Sequence, residues 1–310
     1  MKNFSKLLGI IAFVAVIGFS FVTCSNSDEG GGGGGGGGVS LPGAIKPGSI
    51  QDYTGRAVET TDEALALLQG MGESGFFGAL GIAQSNAFDK AFSEKYGPLR
   101  EFFEAQADKK SFSFSVPIND SNTLKEAAIE VTSNNSVTAA TIKGNGNFSY
   151  SANVPYGTHE DDWDVGDTAT QSSSSTITYN ISDGKYTQEV SGTTYKIAGT
   201  ITVQCELRDQ QTYKTAETST IDEKRTGSTS ETVKITAALS ISDGTKGGKF
   251  VASAAMGTRQ ISRTTETKEE TIASDVEVYD NTGKKIIILD SYYNGLEDAI
   301  YDLALILMDF

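Results

Sequence analysis

His159 is the single histidine in 310 residues. That rules out a His-rich zinc site and leaves Ser-His-Asp chemistry only one possible base. His159 lies in Gly157-Thr158-His159-Glu160-Asp161-Asp162, far from any nucleophile-elbow pattern, and reads as a solvated loop residue. The loop runs on to Asp167 and gathers five carboxylates within eight residues, the hard oxygen ligands that a calcium ion takes. Asp161, Asp162, Asp164 and Asp167 are therefore the calcium candidates. Their spacing lacks the sixth-place glycine and closing glutamate of an EF-hand, and acidic loops are ordinarily just hydrated. Trp163, the single tryptophan, sits among them, either as a surface contact or folded back to pin the loop. No Gly-rich phosphate loop follows a strand, no metal-ligand cluster has usable spacing, and no nucleophile has a plausible base. The expectation is a non-enzyme with no cofactor.

The two cysteines, Cys24 and Cys205, have separate roles. Cys205 shares its alternation face with Ile197, Ile201, Val203 and Leu207, as a small buried apolar residue would. Cys24 ends a different kind of segment. Lys2 and Lys6 form a basic start, followed by an apolar stretch from Leu7 to Val22 that is shorter than a ~20-residue membrane span. Ser25, Asn26 and Ser27 follow, then nine glycines from Gly30 to Gly38. Phe21-Val22-Thr23-Cys24 resembles a lipobox, the site at which bacterial lipoprotein precursors are acylated on cysteine and cleaved. Phe21 and Thr23 stand where Leu and Gly or Ala are usual, which is similar to the relaxed version in spirochaete-type precursors. The resemblance covers only the leader. It implies a signal peptide at 1–23, a palmitate-type lipid on Cys24, a tether over 24–50, and display at the cell envelope on a periplasmic or surface face. More than one acyl chain anchors a protein stably. A lipidated Cys24 also leaves Cys205 with no partner for an intramolecular disulfide.

The formal charge is -15, and losing the leader removes two lysines and none of the acids. A surface this acidic repels phosphates, and no basic cluster offsets it, so nucleic acid is excluded as a partner. About 260 residues remain after the tether, enough for one large core.

Residues 51–310 read as one α+β domain, helical over 60–108, strand-rich over 111–290, with a C-terminal helix over 295–309. Thr60-Thr61-Asp62-Glu63 is a capping box opening a helix. A second helix is expected over Asn86–Tyr96, with Phe88, Phe92 and Tyr96 on one face; Gly97-Pro98 stops it and starts a third. From Ser111 the period becomes two: Phe112, Phe114, Val116 and Ile118 alternate with polar residues. The pattern recurs in Ile177-Tyr179-Ile181, Tyr195–Leu207, Val233–Ile241, Phe250–Met256 and Val276-Val278, with Thr, Ser, Lys and Gln opposite. One dry and one wet face mean an antiparallel sheet. Gly144-Asn145-Gly146 and both copies of Ile-Ser-Asp-Gly, at 181–184 and 241–244, are expected as turns. Lys284–Leu289 is a last, more buried strand. Asn294 and Glu297 open the final helix, whose Leu296, Ala299, Ile300, Leu303 and Leu307 form an apolar stripe. The fold expected is a large twisted antiparallel sheet, as open as a half-barrel, with helices from both chain ends on its apolar face.

Gly72-x-x-Gly75-x-x-Gly78-x-x-Gly81 is the most unusual local pattern. Phe76, Phe77, Leu80 and Ile82 within it could meet an apolar ligand or a membrane, or simply cover the sheet. Each glycine costs an isolated helix ~1 kcal/mol, so the segment needs something to hold it. Three functions compete. The default is a lipid-anchored envelope module, binding or structural, that meets a protein partner through the polar 214–231 hairpin or the Trp163 loop. The second is a carrier of a lipid or other apolar ligand in a sheet–helix cavity. The third is an outer-membrane β-barrel, suggested by the alternating Ile306, Met308 and Phe310 at the chain end.

Overall fold

The computed structural model describes residues 39–43, 45–73, 75–158, 162–189, 191–213, 225–261 and 266–290. The leader with Cys24, the glycine run, His159, Asp161 and the expected C-terminal helix lie outside them.

The dominant element is an open, ten-stranded sheet, antiparallel except for one two-residue pairing. Six long strands form a meander: β2 (Ser111–Asp120), β3 (Ser136–Ala152), β4 (Thr168–Thr187), β5 (Thr194–Tyr213), β6 (Arg225–Ser242) and β7 (Lys246–Ile261). β4 and β5 hold 20 residues each, a span of roughly 65 Å at ~3.3 Å per residue. Three short strands then share the free edge of β7. β1 (Arg56–Ala57) runs parallel to it at Lys246–Gly247, β9 (Val276–Tyr279) antiparallel at Lys249–Val251, and β8 (Glu266–Ala273) antiparallel from Ala254 to Ile261. β10 (Lys285–Leu289) pairs outside β9. It is thus an edge strand, with Ile288 exposed, where a more buried strand was expected.

The alternation places Phe114, Val116, Phe148, Ile142, Ile177, Tyr179, Ile201, Val203, Val233, Ile235 and Phe250 on one inner face. Four helices precede or interrupt the meander: α1 (Thr61–Glu73), α2 (Phe76–Tyr96), α3 (Leu99–Glu104) and α4 (Thr123–Val131). The Thr60 half of the capping box forms at the start of α1, and the return bond goes one residue earlier. The Glu63 amide donates to Thr60 Oγ1 at 3.3 Å, and the Glu63 carboxylate accepts the Glu59 amide at 2.9 Å. α2 begins at Phe76, earlier than the expected Asn86, because burying Phe76, Leu80 and Ala83 completely outweighs the cost of Gly78 and Gly81. Gly75 separates it from α1 in the left-handed region, φ +80°.

α4 was not expected between the first two long strands. Its signal is present, with Leu124, Ala127 and Ala128 at helical spacing and all buried. Asp120 caps it by accepting the amides of Asn122 and Thr123 at 2.6 and 2.8 Å.

Two expected turns are strand interiors. Gly144-Asn145-Gly146 lies inside β3, paired with both neighbours. A Cβ on Gly144 would come within 2.1 Å of the Thr176 carbonyl, and one on Gly146 would press on Phe88 of α2. The glycines let a neighbouring backbone and a helix come close; they do not turn the chain. Ile181–Gly184 lies at a register shift within β4, a bulge. Ile241–Gly244 is a true hairpin turn, with Gly244 at φ +91° and the Asp243 amide bonded to the Lys246 carbonyl.

The last part of the expected tether is packed. Residues 39–43 and 45–54 form a strap over the outer face of β6 to β8 and the β9–β10 turn. Ile50 and Ile45 pack on Ala238, Val251 and Tyr279. Tyr53 is clamped by Asn281 through both its N–H and its carbonyl, at 3.1 Å each. Lys249, almost wholly buried there, donates to Asp52 at 2.7 Å.

Candidate functional site

The inner face is filled by the protein itself. Phe92 of α2 has ring contacts with Phe88, Tyr96, Phe102 and Phe114 at centroid distances of 5.2 to 5.8 Å. Phe103, Phe112, Phe148, Tyr150 and Tyr156 extend the cluster. Each such pair adds ~0.5–1.5 kcal/mol beyond the area it buries. Phe76 and Leu80, proposed to touch a ligand or membrane, are fully buried, and Phe76 meets Tyr186 edge-on at 5.1 Å. Phe77 and Ile82 are partly buried against the same core. The glycine-spaced segment therefore covers the sheet.

The acidic loop is held by its own bonds. Asp167 Oδ2 accepts the Asp164 amide at 2.7 Å, and the Asp167 amide donates back to the Asp164 carbonyl at 3.0 Å. Trp163 folds back, partly buried on the main core. Asp162 and Asp164 are exposed. Among the described residues, no three His, Cys, Asp or Glu side chains come together around a point a metal could occupy.

Cys205 sits on the inner face opposite Ser175 and Val233. Burial pushes its thiol up to about 12; the Ser175 hydroxyl opposes that shift and Glu231 adds to it. Such a thiol is no nucleophile at neutral pH.

What the molecule offers to solvent is its outer face, and there the strand register builds an ordered array. One row runs Ser113, Ser149, Ser172, Arg208 and Ser230 across β2 to β6; the next runs Ser115, Asn147, Ser174, Glu206 and Thr232. These ten residues line a trough of about 840 Å³, together with Tyr96 and with Phe114, Phe148, Ser173 and Leu207 of the row between. Neighbouring side chains fix one another: Ser149 to Ser172 at 2.7 Å, Asn147 to Ser174 at 3.2 Å, and Ser115 to Asn145 of the adjoining row at 3.0 Å. The ladder continues beyond the trough as Thr178 to Thr202 and Thr200 to Asn180. Fixed hydroxyl and amide groups can donate and accept hydrogen bonds. The wet face was legible in the sequence as polar alternation. The matching of serine to serine across strands was not, since it depends on register.

No family model, curated protein or solved structure matches this chain.

Proposed function

We propose that this protein is a lipid-anchored component of the cell envelope, held through acylated Cys24, and that it acts without catalysis by binding through its outer face. The anchor rests on Phe21-Val22-Thr23-Cys24 at the end of the leader, ahead of the glycine run; the observation that carries the binding role is the division of labour between the two faces. The apolar face is taken up by α1 to α4 and their aromatic cluster, while the opposite face presents an ordered array of hydroxyls and amides. The polar 214–231 stretch, of which 214–224 lie outside the described residues, and the Trp163 loop are further contact points in the same proposal.

The finer architecture belongs to the same proposal. The sheet curves as a half-barrel, and a C-terminal helix over 295–309 adds its apolar stripe to the covering of the inner face.

Native mass spectrometry of the full-length protein in detergent, before and after organic extraction, tests the reading. It predicts a mass carrying covalent acyl chains and no stoichiometric extractable lipid. A stoichiometric lipid released by extraction would make the protein a carrier instead.

A further inference from the structure

We infer that the outer-face trough binds an extended saccharide chain laid across the strands. This deepens the proposal that the outer face is the working surface and rests on it.

The trough is lined in part by Phe114, Phe148 and Leu207, on the inward-facing row between its two outward rows, but the side chains of those outward rows are chemically uniform in a way that selects a ligand class. Eight of the ten residues in its two rows are Ser, Thr or Asn; the other two are Arg208 and Glu206, of opposite charge. A polyanion would meet one cation beside one anion, on a protein of net charge -15. An apolar ligand would strand the hydroxyls without partners. A peptide added as a strand needs a free backbone edge, and the trough floor is the interior of a paired sheet. A neutral, polyhydroxylated chain both donates and accepts, and so do these side chains.

Geometry agrees. Successive members of a row are one interstrand spacing apart, ~4.8 Å, about the length of one pyranose unit in an extended glycan. A chain running from β2 to β6 therefore meets a polar side chain at nearly every sugar. The cross-strand bonds hold the groups in place before binding, which lowers the ordering cost. The Tyr96 ring offers no stacking platform, because Lys95 lies over it and Phe92, Phe102 and Phe114 crowd it. Single sugars should thus bind poorly and polymers well, through repeated contacts.

The test uses full-length protein in detergent micelles and three immobilised polysaccharides: β-1,4-glucan, β-1,4-linked poly-N-acetylglucosamine and α-1,4-glucan. The inference predicts retention on at least one. The double variant Ser172→Val/Ser174→Val should cut the apparent affinity tenfold or more, since valine keeps strand propensity while removing the hydroxyls. Ser230→Val, at the other end of the trough, should weaken retention in the same direction. Thr178→Val/Thr200→Val, on the same face but outside the trough, should leave it unchanged. Circular dichroism melts identify any variant that fails to fold, and Ser230→Val then stands in for the double variant. Retention on none of the three polymers, or equal loss in trough and control variants, would overturn the inference, as would displacement of the bound polymer by an extended peptide. Acylation at Cys24 without saccharide retention sinks this inference alone; an extractable lipid sinks the underlying reading.

Discussion

The Tyr96 hydroxyl takes both outward-facing backbone groups of Ser115: it accepts the amide proton at 3.2 Å and donates to the carbonyl at 3.1 Å. Lys95 Nζ donates to the same carbonyl at 2.8 Å. Two residues on, at the next outward-facing position, Pro117 has no N–H to offer. The helix end and the proline together close the middle of the β2 edge to strand addition, the standard hazard of an open sheet.

Tyr96→Phe should cost ~1–3 kcal/mol, the net worth of two hydrogen bonds, while leaving the aromatic packing intact. Combined with Pro117→Thr it should raise self-association, seen as a shift to dimers and larger species in sedimentation velocity. A double variant that stays monomeric would show that the edge is guarded by something else.

Gly199 holds φ +135° within β5, and a Cβ there would come within 2.1 Å of the Ala238 carbonyl. That carbonyl and the Leu239 Cα at 2.9 Å are backbone and cannot swing aside. Gly199→Ala should therefore lower stability by ~2 kcal/mol or more in urea titration. Gly48→Ala, with nothing within 4 Å of the added carbon, should change it by less than ~0.5 kcal/mol.

Asp243 closes the β6–β7 turn. Its Oδ1 accepts the amides of Thr245 and Lys246 at 2.8 and 2.9 Å and the Thr245 hydroxyl at 2.7 Å, and Lys246 Nζ lies 3.1 Å from Oδ2. Burial raises its pKa, but these donors prevail and bring it down to about 2. A folded pKa below the unfolded value of ~3.9 means the stabilisation is full above that value and is lost as pH falls through about 2. The contribution is on the order of 1–2 kcal/mol. Asp120, depressed despite its burial by Lys90 and the start of α4, acts in the same direction. Urea midpoints should drop between pH 5 and pH 2, and Asp243→Asn should flatten part of that slope. An unchanged slope would remove Asp243 from the account.

Burial pushes the Cys205 thiol up to about 12, so it should resist alkylation by iodoacetamide at pH 8 in the native protein and react once unfolded. Rapid native labelling, followed by mass spectrometry, would contradict its place on the inner face.

What the sequence made legible follows the reach of its signals. Alternation in Phe112–Ile118 and Val233–Ile241 identified strands and their dry face, because side-chain direction in a strand is a local property. The Thr60 cap and the Gly97 stop were legible for the same reason. Gly144 and Gly146 misled because a glycine that yields to a neighbouring backbone looks, in one dimension, like a glycine that turns the chain. The repeated Ile-Ser-Asp-Gly forms a bulge at 181–184 and a hairpin at 241–244, so neighbouring strands decide between them. The strap over 39–43 and 45–54 was hidden because it docks on Ala238, Val251, Gly247 and Gly257, all at least 188 residues away. The trough was half legible: its serines were visible as a wet face, its two rows only after register was fixed.

Growth of a bacterial host expressing the full-length chain with an alkyne-bearing palmitate tests the proposed lipid on Cys24 most directly. The account predicts labelled protein in the membrane fraction, and loss of both label and membrane retention in Cys24→Ala. An unlabelled protein, or label that persists in Cys24→Ala, would contradict it.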